Sequence, residues 1–345
     1  MSSVEALPLG PGVYLASYLA PLAAILANAE VTDVYVNRPG EAWVETVGGT
    51  IERLAVPALT EATLSRLARQ IAALTSQGIS REHPLLGATL PDGLRIQIVN
   101  PPATRGPMCL AIRRQAAPSL TLDDYDRGGH FAATRSQLAI AEDLDALRAL
   151  IDEGRFADAL RAGVRGRRNI LVSGGTSTGK TTFLNALVRE IPGDERLILI
   201  EDTPEIVVGQ ANWVGLVNVR GELGEARVTT NDLVSAALRM RPDRIILGEL
   251  RGPEAFAFLR AVRSGHPGSM TTIHADSSEA AVEQLVMLVL QTGTKLSRRD
   301  VRHYVERSID IYVHLARSGG RRMVETVALA NARESQSAEC PGSAK

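Results

Sequence analysis

The first third of the chain places its apolar residues at helical and strand-like intervals in turn. Apolar side chains at i, i+3 and i+4 spacing, beginning at Leu15, predict an amphipathic helix over residues 13–29. Strand-forming residues on both sides of a turn at residues 37–40 predict two short strands. A second helix is predicted from Thr60 to about residue 78, and LRIQIVNPP and MCLAIRR predict further strands. Together these elements indicate a small α+β unit.

Short apolar runs alternate with helical segments in the second half of the chain. The runs NILVSG, LILIED, RIILGEL and SMTTIHA predict strands, whereas TTFLNALVREI and EAAVEQLVMLVLQTG predict helices. Buried strands separated by helices indicate a parallel sheet that is covered on both faces. The predicted fold class of this part is therefore α/β.

Two polar segments set the predicted domain boundaries. Residues 115–136 are turn-prone and lack a sustained period, which indicates a linker. Residues 331–345 are predicted to form a disordered tail. The chain of 345 residues is thus predicted to hold a smaller α+β domain over residues 1–114 and a larger α/β domain over residues 137–330.

Composition limits the classes of protein that fit. With 45% hydrophobic residues and a net charge of −1, the chain is typical of a globular protein and gives no overall electrostatic reason to bind DNA or RNA. Cys109 and Cys340 lie far apart in sequence, which favours free thiols in a reducing compartment. No His/Cys cluster has zinc-ligand spacing.

The most apolar segment, residues 13–29, is short for a membrane span. It is about 17 residues long and contains Pro21, whereas a membrane span needs about 20 residues. No Lys or Arg precedes Arg38, so the basic start of a signal peptide is missing. A helix that covers the core of the first domain is the favoured interpretation, and contact with a bilayer surface is the alternative.

Residues 174–182, GGTSTGKTT, match the phosphate-binding pattern G-x-x-x-x-G-K-[ST]. A predicted strand precedes the motif and a predicted helix follows it, as such a loop requires. Lys180 is predicted to neutralise the β- and γ-phosphates, and the Thr181 hydroxyl to hold Mg²⁺. The predicted nucleotide contacts are Gly174, Gly175, Thr176, Ser177, Thr178, Gly179, Lys180, Thr181 and Thr182.

Acidic residues and a histidine stand at predicted strand ends, where ligands of α/β sheets bind. Glu249 ends RIILGE, and Glu201 and Asp202 end LILIED. Carboxylates at such positions can orient water or support Mg²⁺. His274, at the end of TTIHA, is predicted to contact the γ-phosphate or the attacking water, while the role of His266 is left open.

Two departures from the wider phosphate-loop pattern concern the loop backbone and the metal. Ser177 and Thr178 replace the Ser-Gly of many such loops, which fits if neither residue is left-handed. The strand RIILGE offers no aspartate for Mg²⁺, so Thr181, water and Glu201 are predicted to hold the metal.

Four segments in order resemble the motifs of the type II and type IV secretion ATPases, and most of all those of the type IV branch. GGTSTGKTTFLNAL, LIEDTPEI, LRMRPDRIILGELRGPEAFAFLRA and SGHPGSMTTIHADS are similar to the Walker A, Asp box, Walker B and His box of that family. With VTDVYVNRPGEAWVE and GLRIQIVNPP, the resemblance covers about residues 13–325. It implies a RecA-like P-loop domain preceded by a smaller α+β domain, with ATP and Mg²⁺ bound.

The resemblance also implies roles for single residues. Lys180 and Thr181 match the phosphate lysine and the Mg²⁺ hydroxyl, Glu249 the Walker B glutamate, Glu201 the Asp-box acid and His274 the His-box histidine. Family members also bring arginines to the phosphates from the N-terminal domain and from a neighbouring subunit. The matching arginines are Arg95 and Arg113, with Arg114 as an alternative to Arg113 and with Arg220, Arg239 and Arg251 as weaker matches.

The predicted function is Mg²⁺-dependent ATP hydrolysis by a homo-hexameric ring on the cytoplasmic face of the inner membrane. The resemblance implies a nucleotide held between the two domains, residues 115–136 as a hinge, and inner-membrane components of a secretion apparatus as partners. One alternative is a nucleic-acid translocase or helicase with the same core, although only 4% of residues are aromatic and no sequence-specific nucleic-acid binding is expected. Another is a scaffold that binds ATP without hydrolysis.

Overall fold

The computed structural model describes residues 12–114, 121–129, 131–132, 134, 137–218 and 225–330. Contacts group the chain into two compact units. The first comprises Met1–Thr134, Gly193–Glu205 and Gln210–Asp243, and the second comprises Arg135–Pro192, Ile206–Gly209 and Arg244–Lys345. The predicted linker lies partly, and the predicted tail wholly, outside the described residues. The predicted domain boundaries stay a prediction.

Strands follow one another in the first part of the described chain, and single strands alternate with helices around Ile170–Gly174, Arg244–Leu250 and Met270–Ile273. The helices are α1 (Gly12–Ala27), α2 (Glu61–Leu74), α3 (Leu122–Arg127), α4 (Gln137–Asp152), α5 (Phe156–Arg165), α6 (Lys180–Val188), α7 (Thr230–Leu238), α8 (Glu254–Arg263), α9 (Ser278–Leu290) and α10 (Arg298–Glu306). The strands are β1 (Val31–Val36), β2 (Glu41–Thr46), β3 (Ile51–Ala55), β4 (Leu85–Thr89), β5 (Arg95–Val99), β6 (Cys109–Arg113), β7 (Ile170–Gly174), β8 (Leu197–Glu201), β9 (Trp213–Val217), β10 (Arg244–Leu250), β11 (Met270–Ile273), β12 (Ile311–Ser318) and β13 (Arg321–Leu329).

The first unit contains a six-stranded antiparallel sheet in the order β3-β2-β1-β6-β5-β4. Helices α1 and α2 contact each other, and their apolar sides belong to the same core as the sheet. Leu15 and Leu22 of α1 are buried in that core, as the favoured interpretation of this helix predicted. None of the described helices is both long enough and apolar enough to cross a membrane.

Helix α2 shows how local chemistry sets its ends. The side chain of Thr60 accepts the N–H of Thr63 at 3.1 Å, which caps the first turn. The helix ends at Leu74, about four residues before the predicted end. Thr75 donates its hydroxyl to the carbonyl of Ile71, and Ser76 adopts a left-handed φ of 53°, so the helical path stops there.

The first unit also includes β8, β9 and α7 from the middle of the chain. Strands β8 and β9 pair in parallel. Helix α7 begins with a capping box, in which the Thr229 side chain accepts the N–H of Asp232 and the Asp232 carboxylate accepts the N–H of Thr229. The alternation of strand and helix therefore continues here, although β9 and α7 were not predicted.

The second unit contains strands in the order β13-β12-β7-β11-β10. Strands β12, β7, β11 and β10 are parallel, which confirms the predicted parallel sheet within this unit. Strand β13 pairs antiparallel with β12 and was not predicted. Its first six residues are exposed, so it lacks the continuous apolar run of the central strands.

A fully buried arginine connects β1 to the later part of the first unit. The guanidinium of Arg196 lies 4.2 Å from the ring centroid of Tyr35 and donates to the side chain of Asn37 at 2.8 Å. It also contacts the Asn212 side chain and donates to the Met240 carbonyl at 3.1 Å. Burial lowers the pKa of Arg196 to about 10, which leaves the group charged at neutral pH. A charge can stay buried only when partners such as these compensate for the loss of its hydration.

Replacement of Arg196 by alanine is expected to lower the unfolding free energy of the first unit by about 2–4 kcal/mol, because packing on Tyr35 is lost and buried amide groups lose a partner. Urea unfolding followed by tryptophan fluorescence measures this change, since Trp43 and Trp213 both belong to the first unit. Arg66→Ala, at an exposed site on α2, is the control. Equal midpoints for the two variants would contradict the importance of the buried cation.

Candidate active site

The phosphate-loop motif connects strand β7 to helix α6, as the sequence predicted. Strand β7 is buried along its length and ends at Gly174. A Cβ atom on Gly174 would lie 2.5 Å from Oγ1 of Thr178 and 2.7 Å from the carbonyl oxygen of Leu315, so a larger residue does not fit. Gly179 has a φ of 95°, a left-handed conformation that glycine adopts without steric cost. Both glycines of the motif are therefore required by the backbone.

Ser177 does not meet the condition drawn from the sequence. The replacement of Ser-Gly by Ser177 and Thr178 fits without strain if neither residue is left-handed, but Ser177 has a left-handed φ of 61°. The conformation costs a serine about 1 kcal/mol or more. In the same turn the Thr178 hydroxyl donates to the Gly175 carbonyl at 3.0 Å, just before α6 begins. The loop thus holds a strained non-glycine residue.

Lys180 begins α6 and turns its ammonium back towards the loop. Its Nζ donates to the carbonyl oxygens of Gly174 at 2.9 Å and Gly175 at 3.1 Å, and lies 3.3 Å from Nδ1 of His274. Burial lowers the pKa of Lys180, Glu249 opposes this shift, and Arg251 adds to it. A phosphate beside Nζ would favour the charged form of Lys180 and so offset the effect of burial. The position of this lysine therefore suits a phosphate.

The carboxylate of Glu249 is surrounded by cationic or titratable groups of the second unit. One oxygen, Oε1, lies 2.9 Å from Nε2 of His274 and 3.9 Å from Nζ of Lys180. The other oxygen contacts the guanidinium of Arg251. Glu249 lies near the end of β10, and His274 directly follows the neighbouring strand β11. The structure thus brings Lys180, Glu249 and His274 together at the ends of these strands.

Sequence reasoning missed the residue that fixes the loop after β10. The buried carboxylate of Glu254 accepts the N–H of Arg251 at 2.8 Å and the N–H of Gly252 at 2.9 Å. Glu254 is the first residue of α8, where an acid satisfies free N–H groups and the helix dipole. The acid directly after Pro253 in RGPEAF was the signal available in the sequence.

The other polar residues considered from the sequence have separate surroundings. His266, whose role was left open, has its Nδ1 3.2 Å from the carbonyl of Ala261 near the end of α8. Thr181 is half-buried and Thr182 is exposed on α6. A cavity of about 240 Å³ lies beside Thr182 and is also lined by Phe183 and Arg322.

Glu201 lies in the first unit, at the end of β8. Its Oε1 accepts the N–H of Glu205 at 2.8 Å, and its other oxygen contacts the guanidinium of Arg105. The contact with Arg105 was not predicted, because the sequence NPPATRGPM has no periodic pattern that would mark its arginine. The roles assigned to Glu201 and Thr181 at Mg²⁺ stay predictions.

Arg95 and Arg113 lie opposite each other in the β5–β6 ladder of the first unit. Together with Arg239 they line a cavity of about 620 Å³. Arg113 Nε lies 3.9 Å from a carboxylate oxygen of Asp33. Guanidinium groups around a cavity suit anionic oxygens such as those of phosphate. Their predicted contact with nucleotide stays a prediction.

The other arginines considered from the sequence have different places. Arg114 donates to the carbonyls of Leu26 and Asn28 at 3.1 and 2.9 Å, which satisfies the end of α1. Arg251 is the partner of Glu249 described above. Arg220 lies outside the described residues.

Comparison with known proteins identifies the family. The model of the type II/IV secretion system protein family matches residues 16–342. The chain belongs to this family. It is 39% identical over 327 residues to the type IV secretion system protein VirB11 of Bartonella henselae, covering 90% of this chain and 91% of that protein. It is 40% identical over 314 residues to the type IV secretion system protein PtlH of Bordetella pertussis, covering 87% and 91% of the two chains.

A solved structure extends the similarity to three dimensions. The crystal structure of the VirB11 ATPase from the Brucella suis type IV secretion system, in complex with sulphate, matches with a TM-score of 0.84 at 36% identity. The match covers 92% of this chain and 95% of that one. The predicted resemblance, the fold with a RecA-like domain after a smaller α+β domain, and the enzyme class are confirmed, and this secretion-family member is an ATPase.

Replacement of Gly174 by alanine is expected to lower the stability of the second unit by about 1–3 kcal/mol, because its Cβ would overlap Thr178 and the Leu315 backbone. Thermal unfolding without nucleotide measures the effect. The matched variant is Gly175→Ala, whose Cβ would meet only the Thr178 methyl at 3.9 Å. If both variants unfold at the same temperature, the close approach at Gly174 does not constrain the loop.

Proposed function

We propose that this chain hydrolyses ATP in a Mg²⁺-dependent reaction as part of a homo-hexameric ring that powers type IV secretion. The observation that carries the proposal is the convergence of Lys180, Glu249 and His274 beside a phosphate-binding loop. Lys180 supplies a cation for the phosphates and Glu249 a carboxylate for the attacking water. His274 supplies a polar group for the γ-phosphate. Positioning and charge neutralisation of this kind are what catalyse phosphoryl transfer.

The loop has the donors that a nucleotide needs. Gly174 and Gly179 allow its backbone to close tightly, and α6 begins at the motif lysine, so its N-terminus faces the predicted phosphate position. Lys180 is already held at the loop by carbonyl oxygens, and phosphate oxygens would offer it stronger, anionic acceptors. We assign nucleotide contacts to residues 174–182 on this basis.

We also assign Mg²⁺ to the proposed reaction. This ion prefers oxygen ligands, keeps several waters, and needs few protein side chains when phosphates share its coordination. Within the described part of the chain no group of three or more His, Cys, Asp or Glu residues could hold a metal by itself. The Thr181 hydroxyl, with Glu201 acting directly or through water, would hold the ion, which neutralises charge on the phosphates.

Glu249 is proposed to orient the attacking water and accept its proton. The guanidinium of Arg251 holds one carboxylate oxygen, and His274 lies within hydrogen-bond distance of the other. The Arg251 contact restrains the carboxylate before it acts, and such preorganisation favours hydrolysis. His274, about half exposed, is proposed to contact the γ-phosphate. Arg95 and Arg113 are proposed to reach phosphates in the assembled ring.

The proposed setting is the cytoplasmic face of the inner membrane, with peripheral attachment and with inner-membrane components of a secretion apparatus as partners. VirB11 and PtlH are named as type IV secretion system proteins, and their similarity over most of this chain supports that setting. The cargo could be DNA, an effector protein or pilin. A nucleic-acid translocase and a non-hydrolysing scaffold are the competing functions.

Replacement of Glu249 by glutamine is expected to keep ATP binding within about threefold and to lower kcat at least about a hundredfold, because the water loses its base. A fluorescent ATP analogue measures binding, and phosphate release measures turnover. Glu279→Gln, at an exposed position of α9, is the matched control. Turnover retained in Glu249→Gln would remove this residue from the reaction, and absence of turnover in the unaltered protein would favour the scaffold.

ATP turnover per subunit is expected to rise with protein concentration, since a ring completes sites that single subunits lack. Steady-state hydrolysis over a concentration series, in buffer, with anionic liposomes or with single-stranded DNA, measures this, with Lys180→Ala as the blank. Activation by liposomes but not by DNA supports the membrane-attached motor. Strong activation by DNA would instead support the translocase.

A further inference from the structure

The loop between β5 and β6 brings an arginine to the acid at the end of β8. The side chain of Arg105 is only 14% exposed and contacts Oε2 of Glu201, whose side chain is 3% exposed. Both residues belong to the first unit. Two opposite charges removed from water interact far more strongly than an exposed pair. Removal of either one leaves the other buried without compensation, which is strongly destabilising.

Several contacts hold the Arg105 loop against β9. The N–H of Arg105 donates to the Gly215 carbonyl at 2.9 Å, and the N–H of Val217 donates to the Ala103 carbonyl at 2.9 Å. The Arg105 guanidinium lies 5.7 Å from the centroid of a Trp213 ring. The loop therefore pairs with β9 over a short stretch. Arg105 is held both at its backbone and along its side chain.

Gly215 makes room for this arginine. A Cβ atom at residue 215 would lie 2.4 Å from Cδ and 2.7 Å from Cγ of Arg105. These are contacts with the stem of the side chain, so the guanidinium could not keep its place beside a larger residue. The glycine within the strand WVGLV thus has a packing reason, and that reason is Arg105.

Glu201 is held from two directions. The Glu205 N–H donates to Oε1 at 2.8 Å, while Arg105 contacts Oε2. Burial lowers the pKa of Arg105 to about 10, so the guanidinium is still charged at neutral pH. A carboxylate oxygen has two lone pairs, so Oε1 keeps the capacity to accept a further hydrogen bond beside that of the Glu205 N–H.

We infer that Arg105 is a positioning residue for the reaction: it holds the carboxylate of Glu201 in one orientation, in which that acid would support Mg²⁺ through water. The inference rests on the proposed function, in which Glu201 supports Mg²⁺. It adds a residue that does not itself touch the nucleotide. The same hairpin carries Arg95 and Arg113 opposite each other at the far end of its ladder, so the strand pair that presents the predicted phosphate arginines also positions the acid.

A double-mutant cycle tests this inference. ATP turnover, affinity for a fluorescent ATP analogue, and the Mg²⁺ concentration that gives half-maximal turnover are measured for Arg105→Gln, Glu201→Gln and the double variant. Glu201→Gln is expected to lower kcat about a hundredfold and Arg105→Gln about tenfold, with nucleotide affinity within about threefold of the original. The Mg²⁺ requirement of Arg105→Gln is expected to rise about threefold or more.

The decisive comparison is the effect of Arg105→Gln in the Glu201→Gln background. If Arg105 acts through Glu201, the second substitution lowers kcat less than about twofold there, because the carboxylate that it positions is already absent. A further tenfold loss in the double variant would overturn the inference, since it would show that Arg105 acts independently of Glu201. If Glu201→Gln has full activity, the role of Glu201 in the proposed function fails, and the inference fails with it.

The control comes from a similar trio in the same unit. Arg53 lies 6.0 Å from a ring centroid of Trp43 and pairs with Glu41 at 2.6 Å, but it belongs to β3 at the edge of the first sheet. Arg53→Gln is expected to leave kcat and the Mg²⁺ requirement unchanged. If Arg105→Gln fails to fold by circular dichroism, Arg105→Lys replaces it in the cycle. Lysine keeps the charge without the planar fork, so the cycle with Arg105→Lys is expected to show the same coupling with a smaller loss. Additive losses would overturn the inference there as well.

Discussion

A cation that leaves water must find partners within the fold, and this requirement organises both units of the chain. Arg196 is fully buried beneath Tyr35, and Arg244 is fully buried with its guanidinium donating to the Val164 carbonyl at 2.7 Å. Lys180 is caged by loop carbonyls. Desolvation of such a group costs several kcal/mol, so each of these cations fixes the backbone groups around it. Lys180 fixes the backbone of the phosphate loop. Arg196 and Arg244 instead bind carbonyl groups of distant segments and so hold the elements of each unit together.

The nucleotide loop combines rigidity with strain. Gly174 and Gly179 take positions that a side chain would obstruct or disfavour, and Ser177 is left-handed although it is not a glycine. Functional loops often hold such residues where the surrounding structure determines their conformation. Here the buried strand β7 and the start of α6 supply that structure on either side. The conformation of the loop is therefore set by the fold around it.

Sequence reasoning recovered the features that depend on local pattern. The apolar runs marked β7, β8, β10 and β11, and the phosphate-loop motif marked the site, because strand burial and loop chemistry leave a signature in adjacent residues. The left-handed Ser177 was the local feature that pattern did not reveal. Strand β13 escaped notice because its exposed face breaks the apolar run.

Contacts between distant residues could not be predicted in this way. Arg196 and Asn37 are 159 residues apart, and nothing near either one indicates the other. Arg105 and Glu201 meet only because the β5–β6 loop lies along β9. Pairings of this kind follow from topology and packing, so a single sequence without that information names candidate acids and arginines but not their partners.

The first unit is discontinuous in sequence, and this affects its folding during translation. Its six-stranded sheet and helices α1 and α2 lie within Met1–Thr134, yet the unit is completed only by Gly193–Glu205 and Gln210–Asp243. At about 5–20 residues per second, a ribosome needs roughly 5–20 s to extend the nascent chain from Thr134 to Asp243. For that interval Tyr35 and Asn37 have emerged while Arg196 is still to be made, or is not yet clear of the exit tunnel. The first unit is thus completed by the middle of the polypeptide, and its native state cannot be reached until translation has passed beyond the phosphate loop at residues 174–182 and reached Asp243.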